Sequence, residues 1–121
     1  RGVVMLVPRI KPGIWVKAQL RLADLEGRIF TVLRRGDDDG GTIIVKIVDR
    51  GGMADVLAQT TATSGTGELA WYRPLGPEPV SDGDADAYIA RQGDFDPDIW
   101  ALEVMDRDGT YEISGTVLDQ G

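Results

Sequence analysis

Apolar and polar positions along this chain follow two periods, and the switches between them mark its elements. Residues 13–27 (GIWVKAQLRLADLEG) bring Trp15, Ala18, Leu22 and Leu25 round at helical spacing, with Lys17, Gln19, Arg21, Asp24 and Glu26 as polar positions. Gly27 stands where a left-handed C-cap falls, so the pattern predicts an amphipathic helix over about 13–26. Ile14, Val16 and Leu20 lie off that stripe, which predicts a helix covered on more than one side. The period then shortens. Residues 28–35 (RIFTVLRR), 42–48 (TIIVKIV), 53–60 (MADVLAQT) and 69–75 (LAWYRPL) read as strands, the last limited by Pro74 to an edge or an end.

Ser81-Asp-Gly-Asp84 has capping-box spacing, with Asp for the usual Glu, ahead of a short helix over about 83–92 buried through Ala85, Tyr88 and Ile89. Residues 99–106 (IWALEVMD) form a further strand, and Asp106-Arg-Asp-Gly109 signals a hairpin into Tyr111–Ile113. No internal repeat stands out. The order α-β-β-β-β-α-β with short connections predicts an α+β fold: one domain with a mainly antiparallel, four- to five-stranded sheet and two helices packed on one face. The domain is expected over 9–113, after a flexible N-terminal lead (1–8) and before a C-terminal tail (114–121). If Ile43, Val45 and Ile47 face the core, Lys46 shares the other face with Ile44 and Val48. That second face is apolar enough to need a cover, and a partner subunit supplies it economically.

Composition narrows the chemistry. The 121 residues include no Cys and no His. This excludes disulfides, thiolate nucleophiles, Ser-His-Asp triads and imidazole ligands. Net charge is −7, which disfavours nucleic acid and anionic membranes. Its distribution is uneven. Residues 1–50 hold ten Lys/Arg against six Asp/Glu, and residues 51–121 hold three against fourteen. Either the two segments neutralise each other across one surface, or they form a bipolar surface that steers a partner. No apolar run approaches the ~20 residues of a membrane span, and the apolar start closed by Pro8 is too short for a signal-peptide core, so a cytoplasmic location is expected.

Four constellations remain. Arg34-Arg35-Gly36-Asp37-Asp38-Asp39-Gly40-Gly41 joins two strands. Its glycines can take positive φ and its aspartates can bond nearby amides, so it reads first as an acidic turn. As a binding loop it would offer Arg34 and Arg35 to an anion, or Asp37 and Asp39 to a divalent cation. It lacks the Gly-Lys-Ser/Thr of a Walker loop. Asp82-Gly-Asp84-Ala-Asp86 opens like a calcium loop, but Ala87 and Gly93 stand where the loop needs Gly and Glu, and helix capping accounts for the carboxylates. The acidic run from Asp94 to Asp108 reads as turns and caps, with Glu103 exposed on its strand. Trp71 and Arg73 form the fourth, a core tryptophan on the plainer reading and an interface pair on the sharper one.

The segments 14–21 (IWVKAQLR), 32–47 (VLRRGDDDGGTIIVKI) and 84–109 (DADAYIARQGDFDPDIWALEVMDRDG) follow in that order. Together they resemble a family of small uncharacterised alphaproteobacterial proteins, domain of unknown function family 1491. The resemblance spans about residues 9–111, and its most specific pieces are the RRGD-acidic-Gly loop and FDPDIW at Phe95–Trp100. It implies one small cytoplasmic bacterial domain and brings no activity, cofactor or catalytic residue with it. The reading is a non-enzymatic interaction or accessory protein with a protein partner or a second copy, no cofactor and no metal, binding through Arg34, Arg35, Asp37, Asp39, Trp71 and Arg73. The alternatives are a small carboxylate- or magnesium-dependent enzyme acting on a phosphate-bearing or polar substrate, and a nucleic-acid accessory factor.

Overall fold

The computed structural model describes residues 10–60 and 69–118. The N-terminal lead, the polar stretch 61–67 and the end of the tail lie outside the described residues. Helix α1 (Pro12–Glu26) opens with Pro at its first position, where the missing N–H costs no hydrogen bond. It closes on Gly27 at φ 69°, with the amides of Gly27 and Arg28 donating back to Asp24 and Ala23. Strands β1 (Phe30–Arg34), β2 (Ile43–Asp49), β3 (Met53–Thr60) and β4 (Ala70–Tyr72) follow, then the short β5 (Val80–Ser81). Helix α2 (Asp82–Phe95) is capped by the Ser81 hydroxyl, which accepts from the Asp84 amide at 3.1 Å. Strand β6 (Trp100–Asp106) and β7 (Thr116–Val117) complete the chain order.

One mixed sheet runs β1-β6-β2-β3-β4-β7, with β5 beside β3. Most pairs are antiparallel. The exceptions are β2 with β6 and β4 with β7. The central exception has a simple cause: α2 carries the chain across a sheet face between β5 and β6, and such a crossover returns a strand parallel. Residues 111–113 make no hairpin with β6. The chain instead goes on to the far edge, where the amides of Thr116 and Leu118 donate to the carbonyls of Leu69 and Trp71 at 2.9 and 2.8 Å. Thr116 and Val117, in the stretch expected as tail, thus pair with β4 at the edge of the sheet.

The helices lie on opposite faces, not on one. Trp15 and Val16 of α1 pack with Ile43, Val45, Leu57, Trp71, Trp100, Leu102 and Val104. Ala85, Tyr88 and Ile89 of α2 pack with Ile44, Val56, Ala58 and Ala101. The second apolar face of β2 is therefore covered from within the chain, by α2. A partner subunit is not needed there.

The helix stripe also differs from the expected one. Trp15 points inward, as do Val16, Gln19 and Ala23. Ile14, Leu22 and Leu25 point outward, with 62%, 46% and 79% of their surface exposed. Two apolar stripes exist on this helix, and the sheet covers only one.

Candidate functional site

The Arg34–Gly41 loop is built around a backbone-to-backbone contact. The Asp37 amide donates to the Asp98 carbonyl at 2.9 Å, and the Trp100 indole donates to the Asp37 carbonyl at 2.8 Å. Gly36 and Gly41 both lie so close to the Asp98 carbonyl that neither position has room for a Cβ. None of the three glycines of this loop has a positive φ. Gly36 and Gly41 are glycines because the loop presses against residues 98–100, not because the backbone turns left-handed. The same loop reaches α1, where the Gly13 amide donates to the Asp38 carbonyl at 3.1 Å.

This arrangement decides where the charged residues go. The Asp37 carboxylate, at the surface, folds back onto its own loop and accepts from the amides of Gly40 and Asp39 at 2.7 and 3.2 Å. Asp39 points to solvent beside Lys11. Arg34 lies on the other side, donating to the carbonyls of Gly93 and Pro97 at the end of α2, where a cation also meets the negative end of the helix dipole. Arg35 stacks over the Trp100 ring at 5.4 Å and pairs with Asp38. The four residues splay rather than converge on one pocket. Trp71 is completely buried and tilted against Trp15, with its N–H on the Ser114 carbonyl at 2.9 Å, so it offers no ring to a ligand. Arg73 grips Asp55 of β3 with two bonds of 2.9 and 3.1 Å.

The most concentrated charge cluster is one that composition and spacing do not bring together. Lys46, 2% exposed, sits on the α2 face of the sheet. Its ammonium meets Asp82, Asp86 and Glu103 at 2.5, 2.8 and 2.9 Å. Glu103 is its register partner on parallel β6, so it turns onto the lysine instead of facing open solvent. Asp82 and Asp86 stand one turn apart on α2, on the same side. Burial on its own lowers a lysine pKa, and it is the largest single influence here. The three hydrogen bonds together outweigh it and raise the pKa. A lysine held protonated in this way has no lone pair for nucleophilic or Schiff-base chemistry. The sequence does hold a signal for the cluster: a lysine in the middle of an apolar strand needs a carboxylate partner wherever it is buried.

At the opposite end of β6, Arg28 donates to Asp106 at 3.0 Å and to the Thr110 hydroxyl at 3.2 Å, and its guanidinium stacks on Tyr111. The Thr110 hydroxyl, at 2.7 Å, and the Thr110 amide hold the Asp108 carboxylate down at about 2. Because the folded value lies below the ordinary one, the stability this charge supplies is present above about pH 4 and is lost as pH falls toward 2. Thr110→Val is expected to move the Asp108 midpoint back up toward 4 in a carboxyl NMR titration. An unmoved midpoint would assign the depression to the residue-110 amide, which the variant keeps, and to Arg28.

Among the described residues no group of three or more carboxylates is arranged to hold a metal ion, and no helix is long and apolar enough to cross a membrane. Among the described residues the exposed large apolar side chains are Val32, Leu33, Met53 and Phe95, away from α1, and those of the outer flank of α1, with Ile10 and Ile29 beyond its two ends. Lys17 and Arg21 on the same helix are exposed beside it.

Fold and surface together define a small α+β domain, a mixed sheet between two helices, whose titratable clusters tie its elements together. The chain belongs to the family described as protein of unknown function (DUF1491), whose model matches residues 10–114. It is similar to a DUF1491 family protein from Caulobacter crescentus CB15. The crystal structure of that protein gives 40% identity and a TM-score of 0.76, covering 89% of this chain and 98% of that one. The NMR structure from the same organism gives 39% identity and a TM-score of 0.75, covering 93% and 99%. A solution structure of a protein from A. tumefaciens shares the fold at 24% identity and a TM-score of 0.72, covering 94% and 98%. No curated protein matches.

Proposed function

We propose that this protein is a non-enzymatic, cytoplasmic interaction module that pairs through the outward flank of α1, with a second copy of itself as the first partner. One observation carries the reading: Ile14, Leu22 and Leu25 form an apolar stripe at helical spacing that the sheet leaves bare. A helix pays for such a stripe in solubility unless something covers it. The charges point the same way. Lys17 and Arg21 border the stripe, and Asp24 and Glu26 stand exposed toward the other end of the same helix, so two antiparallel copies of α1 can meet with opposite charges facing. A carboxylate- or magnesium-based enzyme has less support, because Asp37 spends its carboxylate on its own loop and Arg34 and Arg35 face away from it.

Light scattering over roughly 10–500 µM tests the pairing, a range that brackets the weak end of specific association. The expected result is a dimer that Leu25→Asp converts to a monomer. Because Leu25 is 79% exposed, the variant's thermal midpoint should barely change. A wild-type monomer at the highest concentration, with a photocrosslinker at position 25 capturing no protein, overturns the reading.

A further inference from the structure

Strand β2 and its exit turn are repeated in β6. The two strands lie side by side and parallel, with every pair at one constant offset from Ile43↔Trp100 to Asp49↔Asp106. The match continues past the strands as Asp49-Arg50-Gly51-Gly52 beside Asp106-Arg107-Asp108-Gly109, the short internal repeat that periodicity alone does not show. The turns share their construction. Each ends on a glycine of positive φ, 84° at Gly52 and 72° at Gly109. In each, the aspartate folds back onto its own backbone. Asp49 accepts from the amides of Gly51 and Met53 at 2.9 and 3.0 Å, and Asp106 from those of Thr110 and Tyr111 at 3.1 and 3.2 Å.

Two turns locked in this way hold Arg50 and Arg107 at the same end of the sheet, lining one open groove of about 720 Å³ with Met53. Three carboxylates line the same groove and keep their charge: Asp49 accepts from amides, Asp106 from amides and Arg28, and the mostly exposed Asp108 from Thr110 and Arg28. The two guanidinium groups are exposed, and among the described residues neither makes a hydrogen bond or ion pair.

We propose that this groove binds a small phosphate-bearing ligand, with Arg50 and Arg107 closing on one phosphoryl group from the two turns. A carboxylate presents two coplanar oxygens, which a single guanidinium fork satisfies. A phosphate monoester presents three acceptor oxygens in different directions, which two forks approaching separately can share. The groove is broad and open to solvent, so an organic body can lie along it beside the phosphoryl group. The net charge of −7 repels extended polyanions, which limits the ligand to something small. The groove also lies outside the carboxyl ends of two adjacent parallel strands, where open sheets of this kind commonly place ligands, a point of analogy that agrees with the charges.

The test is an amide NMR titration of the 121-residue protein with inorganic phosphate, with AMP and with acetate. Saturable shifts confined to residues 49–53 and 106–110 are expected for phosphate and AMP below about 20 mM, and not for acetate. Arg50→Gln and Arg107→Gln should each weaken binding roughly tenfold, the worth of one charge-assisted contact, and the double variant should abolish it without disturbing amides elsewhere. Three results overturn the proposal: no saturable shift, equal shifts with acetate, or phosphate binding that survives in the double variant.

Discussion

Gly36→Ala is expected to lower stability by about 3 kcal/mol and the thermal midpoint by roughly 10 °C, the cost of forcing atoms into a site with no room for them. The added Cβ would meet the Asp98 carbonyl, the Ile99 backbone and the edge of the Trp100 ring. Two of these are backbone atoms, which cannot rotate aside as a side chain can. Moving them breaks the Asp37 amide bond to Asp98 and misplaces Trp100, which is 2% exposed and part of the α1-side core. Gly40→Ala is the control. Its Cβ would meet only the Asp37 carboxylate, at 3.5 Å, an ordinary contact, so the change should stay within about 1 kcal/mol. Thermal melts of the two variants decide the matter. Equal midpoints would mean that the close approach to residues 98–100 does not hold the loop.

Lys46→Met should cost about 2 kcal/mol near neutral pH, because it leaves the largely buried Glu103 without its cation, while Asp82 and Asp86, each more than half exposed, can turn to water. Neutralising those acids as well, with Asp82→Asn, Asp86→Asn and Glu103→Gln added to Lys46→Met, should recover most of the loss, since the penalty lies in the unpaired charges. The pH dependence gives a second readout. The folded lysine pKa is raised, so its contribution is complete below the ordinary lysine value of about 10.4 and is lost as pH climbs beyond it. Tyr88 and Tyr111, both pushed up by burial to about 12, also cost the folded state stability in that range. The wild type and the variant share that tyrosine loss, so the gap between their urea-unfolding free energies isolates Lys46. It should be constant from pH 6 to 9 and narrow above pH 10. A gap that stays constant into the alkaline range would show that Lys46 acts by filling space.

Local chemistry was legible because it depends on few neighbours. Gly27 at a helix end and Ser81 three residues before Asp84 each need only their own turn, and both stand where the pattern puts them. The α2 boundary ran past the expected 92 to Phe95, because Gly93 keeps its helical conformation while Arg34 lies against it. The α1 stripe misled for a different reason. Two stripes of comparable hydrophobicity share that helix, and periodicity cannot say which meets the sheet. The candidate residues of the RRGD loop were visible as a group, yet their directions were not. Arg34 follows the end of α2, Arg35 follows Trp100 and Asp37 follows its own amides. Each of those partners except the last lies some sixty positions away along the chain.

By itself the sequence determined the fold class, the family, the two helices and the five longer strands, since helical and strand periods, caps and turn residues act over a few positions. The two-residue strands β5 and β7, which take the sheet past the expected four to five strands, leave no such period. The sequence also determined the exclusions that follow from having no His and no Cys. Only the tertiary structure decided which helix covers which face. It also decided that Lys46 is neutralised within its own chain, and that Gly36 and Gly41 answer a steric demand from residues 98–100. Last, it set the two Asp-Arg-x-Gly turns side by side. The physical reason is common to all four: each depends on a parallel pairing of β2 with β6 that closes a long loop, and loop closure leaves no period in the sequence.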